Sequence, residues 1–248
     1  MSKVPAASQT LEILGLLARS RGPLPAAHIA AQLGVPRSSA YHLLSVMAEQ
    51  GFVTHFPEER RWGLGPAAFE LSSGYARQQP LSRLGRPLVE ALVDRLGESG
   101  HLAVLHGSDV LYVVEERARR RPSLVSDVGV RLPAYLTATG RALLAALPLA
   151  QLRALYPSQA SFPNADWSYA RLRRRLDAER QLGLATEDGD VTPGLSSIGV
   201  VVRDAGGWPA ASIAVTFDSS ADAPRRAEIA AAVRPAAAEL ERRIRPRA

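Results

Sequence analysis

The chain has 248 residues, 46% of them hydrophobic and 22% charged, and carries a net charge of +6 from 30 Lys+Arg against 24 Asp+Glu. That length has room for one large domain or two small ones, and the ordinary balance of apolar and charged residues excludes wholesale disorder. With no cysteine, the chain excludes disulfides, thiolate metal sites, iron–sulfur clusters and a cysteine nucleophile. The longest apolar run, residues 142–150, is broken by Pro148, far short of the roughly 20 apolar residues a membrane helix needs. Glu12 interrupts the first apolar stretch, so the amino-terminal segment does not read as a secretory signal, and a cytoplasmic location without membrane contact is expected. All the basic residues except Lys3 are arginine; residues 1–79 hold seven basic and five acidic residues (+2), and residues 80–248 hold 23 and 19 (+4). Total charge therefore points to no particular end of the chain.

In chain order, Leu11, Leu14 and Ala18, with Ile13 and Leu17, recur at helical spacing up to Gly22-Pro23. A short helix follows over Ala26–Leu33, stopped by Gly34, and a third starts after Pro36 with Ala40, Leu43, Leu44 and Met47 on one face. Residues 52–56 and 61–64 read as two strands about a turn at Pro57–Arg60. Residues 66–79 read as a connecting helix ending at Pro80, where the pattern changes. Beyond it lie an amphipathic helix over 84–96 and a hairpin of strands 102–105 and 110–114. Helices follow over 137–147 and 169–182, then a second hairpin of 198–202 and 210–217 turning at Asp204–Gly207. An Ala-rich helix over 224–244 closes the chain. The expected class is α+β, with a domain break near residue 80.

The strongest local signal runs from Ala26 to Ala48: a short helix, a glycine turn and a longer helix, followed by a hairpin. This is the order of a winged helix-turn-helix. Ile29, Leu33, Val35, Ala40 and Leu43 are expected to pack between the helices, leaving Arg37, Ser38, Ser39, Tyr41, His42 and Ser45 outward. Free amides and hydroxyls at the second helix's start suit phosphate, and Arg37, Tyr41 and His42 suit base edges. Arg60 and Arg61 fall at the wing tip, where arginine can enter a narrow minor groove. An ordinary three-helix unit with a polar face is the alternative.

The runs Leu33-Gly34-Val35-Pro36-Arg37-Ser38-Ser39-Ala40-Tyr41-His42-Leu43-Leu44, Gly51-Phe52-Val53 and Trp62-Gly63-Leu64-Gly65 resemble the helix-turn-helix of the IclR-type transcriptional regulators. The resemblance continues through residues 129–133 and 137–145, Gly194-Leu195, and the paired strands around Asp204 and 211–216. It spans about residues 8–240. It implies a winged helix-turn-helix DNA-binding domain over residues 1–65, a linker helix over 66–79 and a GAF-like effector-binding domain over 80–248. It also implies homodimers or dimers of dimers on palindromic double-stranded operators, with no cofactor. His42 stands where the family often has Arg, and Ala214 where some members place a pocket Ser.

Thr137 can cap a helix whose first turn is Ala138, Thr139 and Gly140. Small residues there admit a ligand to free amides, and the helix dipole favours a carboxylate. Simple capping and close packing is the other explanation. The resemblance implies that Glu187, Leu195, Ser197, Ser212, Ala214 and Thr216 line the same cavity, with Leu136 and Leu195 as apolar wall, a mix suited to a small organic acid.

The remaining candidates carry less. Residues 115–121 read as a solvated loop and residues 171–175 as a solvent-facing helix surface. His28, His42, His55, His101 and His106 lack metal-ligand spacing, and His101 and His106 read as structural or surface residues. Residues 194–199 miss the Gly-x-Ser-x-Gly elbow by one position. The expected function is a ligand-responsive DNA-binding regulator and not an enzyme. The competing reading is an enzyme or small-molecule binding protein whose amino-terminal helices serve dimerisation.

Overall fold

The computed structural model describes residues 4–20, 22–71, 80–118 and 126–245. The second half of the expected linker helix (72–79) and the arginines at 119–121 lie outside these. The chain divides into two compact units, residues 1–78 and 79–248.

The first unit opens with α1 (Pro5–Arg19), β1 (Leu24–Pro25), α2 (Ala26–Leu33) and α3 (Arg37–Glu49). Gly34 ends α2 at φ 66°, a left-handed conformation glycine adopts without strain. β2 (Val53–Phe56) pairs antiparallel with β3 (Arg61–Leu64), and β1 adds to the other edge of β3. A helical segment, α4, occupies residues 66–71. Ile13, Leu17, Ala26, Ile29, Leu44, Met47, Val53 and Trp62 form the core. Of the two apolar stripes on α1, the Ile13/Leu17 stripe is buried, whereas Leu11 is exposed. Leu33, Val35 and Leu43, expected in the interior, are only half-buried; Leu44 and Met47 sit deeper. The reason is geometric: residues 40, 44 and 47, one helical turn apart, share the α3 face turned to the core that α1 and α2 complete.

The second unit is built on a six-stranded antiparallel sheet ordered β6-β5-β4-β9-β8-β7. Its strands are β4 (Ser99–His106), β5 (Asp109–Glu116), β6 (Arg131–Pro133), β7 (Ala185–Asp188), β8 (Leu195–Arg203) and β9 (Pro209–Asp218). Strand alternation gives it two different faces. Leu102, Ile198, Val200, Val202, Ile213, Val215 and Phe217 point to one side. There they pack against Val89, Leu92, Ile229, Val233 and Leu240 of α5 (Pro80–Leu96) and α9 (Ala223–Ile244). Helices α6 (Ala138–Ala146), α7 (Leu149–Leu155) and α8 (Tyr169–Leu182) supply Leu143, Leu144, Leu152, Leu172 and Leu176 to the other side. Those residues meet Ala103, Val110 and Tyr112 of the sheet. The short elements β1, β6, β7 and α7 have too few residues to show a period, which is why the sequence pattern does not reveal them.

Candidate functional sites

In the first unit the outward face of α3 takes shape from the residue before it. Pro36 occupies the N-cap position and makes no side-chain hydrogen bond, so the first amides of α3 carry no cap. Arg37, Ser38, Tyr41, His42 and Ser45 are exposed, and Ser39 is half-buried. Tyr41 retains 52% of its accessible surface, although an aromatic residue of this size normally packs. The face therefore offers open amides, hydroxyls, one guanidinium and one imidazole on a rigid helix.

The hairpin of β2 and β3 turns at residues 57–60, closed by the Arg60 amide donating to the Pro57 carbonyl (3.2 Å). Arg60 has φ 53°, the sole non-glycine residue at positive φ among the described residues. His55 stacks on Trp62 with ring centroids 4.3 Å apart, which stiffens the hairpin. Arg60 is exposed at the tip. Arg61 is different: its guanidinium donates to the Pro23 carbonyl (3.1 Å) and lies along the edge by β1.

The second unit contains a partly open cavity of about 30 Å³ at the start of α6. Of the residues expected there, Ala138, Thr139, Glu187, Leu195, Ser197, Ala214 and Thr216 line it. The sheet register explains the convergence, because Thr216 pairs with Ser197 across β8–β9 and Ser197 pairs with Glu187 across β7–β8. Thr137 caps α6 through the Gly140 amide (2.9 Å), which leaves the Ala138 and Thr139 amides without an intrahelical acceptor.

Three expected residues lie elsewhere. A Cβ on Gly140 would collide with the Ala134 backbone, so this glycine serves close packing, and its amide is already taken by Thr137. Leu136 packs in the α6–α8 core, and its carbonyl accepts from Arg141 Nη1 (3.1 Å). Ser212 lies one pleat further along β9, with its hydroxyl donated to the Val200 carbonyl (3.1 Å).

Sequence reasoning also missed residues. His101, Tyr112, Ser126, Val191 and Thr192 complete the lining together with Thr137, the expected helix cap. Of the two histidines read as structural or surface residues, His101 is buried, 2% exposed, and His106 is exposed. The usable signal was phase: His101 and Ala103 alternate against Leu102 and Val104, which places His101 on the helix-covered face. Gly199 was missed as well. A Cβ there would come within 2.8 Å of the Ala138 carbonyl oxygen, so this glycine admits the first turn of α6 to β8.

The polar side chains of the cavity form two hydrogen-bonded runs. In one, His101 Nε2, Thr216 Oγ1, Ser197 Oγ and Glu187 Oε2 are linked by contacts of 3.0, 2.9 and 3.2 Å. In the other, the Tyr112 hydroxyl meets Thr139 Oγ1 at 3.3 Å, and Thr139 Oγ1 meets Thr137 Oγ1 at 3.2 Å. Burial lowers His101 to a pKa of about 4, with the nearby Arg117 charge acting in the same direction, so the imidazole is neutral near pH 7. Burial pushes Tyr112 up to about 12 against the Thr139 hydrogen bond. Burial also raises Glu187, opposed by bonds from the Val191 amide and Ser197. His101 Nδ1 stands 3.9 Å from Glu115 Oε2, beyond hydrogen-bond range and with a neutral ring, so the two form no ion pair.

Behind the cavity Arg141 is fully buried. It donates to Glu179 Oε1 (3.0 Å), to the carbonyls of Tyr135 and Leu136, and to the Thr186 carbonyl. Glu179 Oε1 also receives Arg175 Nε (2.9 Å). This network fastens α6 to α8 and β7, the elements that carry Thr139 and Glu187.

Comparison with known proteins agrees with both halves of this geometry. A family model described as the IclR helix-turn-helix domain matches residues 6–56, and one described as the bacterial transcriptional regulator IclR C-terminal matches residues 73–242. The transcriptional repressor IclR of Escherichia coli (strain K12) is 27% identical over 219 residues, covering 86% of this chain and 80% of that protein. An IclR transcriptional regulator structure from Alicyclobacillus acidocaldarius superposes with a TM-score of 0.84 at 22% identity, covering 98% of this chain and 99% of that one. The structure of an IclR homologue complexed with 4-hydroxybenzoate, from Microbacterium hydrocarbonoxydans, gives a TM-score of 0.79 at 21% identity, covering 96% and 98%. The α+β architecture and its GAF-like second unit fit these neighbours. With the second model alone matching well over half its length, the chain belongs to the IclR family of bacterial transcriptional regulators, with a DNA-binding helix-turn-helix at its amino-terminal side.

Proposed function

We propose that this regulator binds duplex DNA through α3 and the Arg60 wing tip, and that a small organic acid in the α6 cavity modulates that binding. The observation that carries the first half is the uncapped start of α3 beneath an exposed Arg37, Ser38, Tyr41, His42 and Ser45. Phosphate oxygens meet the free amides and hydroxyls, while Arg37 and His42 reach base edges. Arg60 enters the adjoining groove; Arg61 contributes chiefly to the hairpin, because its guanidinium is engaged by Pro23. A homodimer on a two-fold symmetric operator follows from the usual pairing of such helices.

The second half is supported by the two open amides at the start of α6, which donate hydrogen bonds and sit at the positive end of the helix dipole. A neighbour's structure holding 4-hydroxybenzoate also favours an acid. Binding that prefers one arrangement of the paired DNA-binding units changes operator affinity by linkage, typically by about 1–3 kcal/mol. The test is fluorescence anisotropy on the DNA upstream of the protein's own gene. Saturable binding is expected, weakening more than about tenfold between 50 and 200 mM salt. No binding at the lower salt overturns the assignment. A thermal-shift panel of small acids tests the cavity, with Ala214→Leu expected to abolish any stabilisation.

A further inference from the structure

Apart from the cavity at the start of α6, the second unit holds another partly open cavity, of about 60 Å³, along the last turns of the same helix. Ala142, Ala145 and Ala146 of α6 and Val201 of β8 wall it. The sheet explains why space is left there. β7 begins at Ala185, opposite Gly199, so Val201 and Arg203 of β8 are paired on the β9 side alone.

The polar lining is unmatched in two places. Glu179 is 4% exposed. Its Oε1 takes Arg141 Nε (3.0 Å), Arg175 Nε (2.9 Å) and the Thr186 amide (3.3 Å), while Oε2, equally sealed from solvent, meets no donor. A buried carboxylate oxygen left this way is costly, because it has given up water without gaining a partner. Arg203 shows the converse. Its Nη1 donates to the Gly207 carbonyl (3.0 Å), and no carboxylate stands within 4 Å of its guanidinium among the described residues. Arg180, also in the lining, is already matched by Asp177 Oδ1 (2.7 Å) and the Ala145 carbonyl (2.8 Å).

The lining therefore calls for one donor and one anionic group. A lone cation there faces the guanidinia of Arg141 and Arg175, and a lone anion faces the Glu179 carboxylate; a molecule carrying both charges answers both ends. We propose that this cavity is a second small-molecule site, for a zwitterionic amino acid. The ammonium donates to Glu179 Oε2, the carboxylate accepts from Arg203, and an apolar side chain rests against the alanines of α6 and Val201. Glu179 also anchors Arg141, so the occupant engages the network that fastens α6 to α8 and β7.

Isothermal titration tests this on the full-length Ala214→Leu chain, in which leucine fills the cavity at the start of α6. The probes are L-alanine, propionate, which lacks its ammonium, and ethylamine, which lacks its carboxylate. L-Alanine is expected to bind at least about tenfold tighter than either, the range of one charge-assisted hydrogen bond. Adding Ala146→Leu, which fills the second cavity, is expected to abolish binding. Arg203→Gln is expected to weaken it about tenfold, and keeps the test decisive should Ala146→Leu lower the melting temperature. Propionate binding as tightly as L-alanine overturns the role of Glu179, and ethylamine binding as tightly overturns that of Arg203. L-Alanine binding unchanged by both Ala146→Leu and Arg203→Gln lies elsewhere and overturns the site. No binding of L-alanine at about 20 mM overturns it as well.

Discussion

The two candidate sites are built in opposite ways. The α3 face draws its residues from one continuous segment, residues 37–45, and all but Ser39 are exposed. The cavity draws its residues from β4, β5, α6, β7, β8 and β9, positions more than 100 residues apart, and most are buried. The first surface depends on local helix geometry and remains open to solvent. The second depends on sheet register and on two close backbone approaches, at Gly140 and Gly199. Substitutions on the α3 face should therefore alter binding without touching stability, whereas substitutions at the cavity's foundations should unfold the unit before they report on a ligand.

The largest expected effect follows from that difference. Gly140→Val drives a branched side chain into the Ala134 backbone and should destabilise the second unit by about 3 kcal/mol or more. Denaturant unfolding followed by the emission of buried Trp167 measures it; a normal midpoint would mean that α6 does not pack on Ala134. Leu44→Ala opens a hole in the core of the first unit and should cost about 3 kcal/mol there. DNA affinity should fall with it while the Trp167 transition keeps its midpoint, and a shift in both would erase the contrast between the units.

A pH effect of similar size belongs to the cavity alone. Burial holds His101 at about 4 in the folded chain against the ordinary imidazole value of 6.5, so the unfolded state binds the extra proton. The contribution is fully present above pH 6.5 and is lost progressively as pH falls toward 4, about 3 kcal/mol in all. Replacing His101 with Gln should flatten the stability of the second unit over that window. The smallest effect lies at the wing. Arg60→Gly relieves a positive φ and should stabilise the hairpin by up to about 1 kcal/mol, while weakening DNA binding through the lost charge.

The same contrast explains what the sequence could disclose. Arg37 to Ser45 was legible because a helix period, a glycine stop at Gly34 and Pro36 lie side by side in the chain. His101 was not, because its neighbour Thr216 is 115 positions away and only the β4–β9 pairing brings them together. Gly140 was singled out for the right backbone reason, close approach, but the approaching group is Ala134 and not a ligand. Ser212 and Ala214 share a strand face, and nothing in their local sequence shows where along β9 the cavity ends. Arg141, fully buried in the network that holds α6 in place, carried no signal at all in a chain so rich in arginine.

The most direct test titrates one DNA fragment with the wild-type chain, Arg37→Ala and Ala214→Leu in parallel, with melting temperatures taken on the same samples. Arg37→Ala should weaken DNA binding about tenfold or more at unchanged melting temperature, the range expected for losing one arginine contact to base or phosphate. Ala214→Leu should leave ligand-free DNA affinity within about threefold of wild type. Unchanged affinity in Arg37→Ala, or a loss as large in Ala214→Leu, would contradict the assignment of DNA recognition to the exposed face of α3.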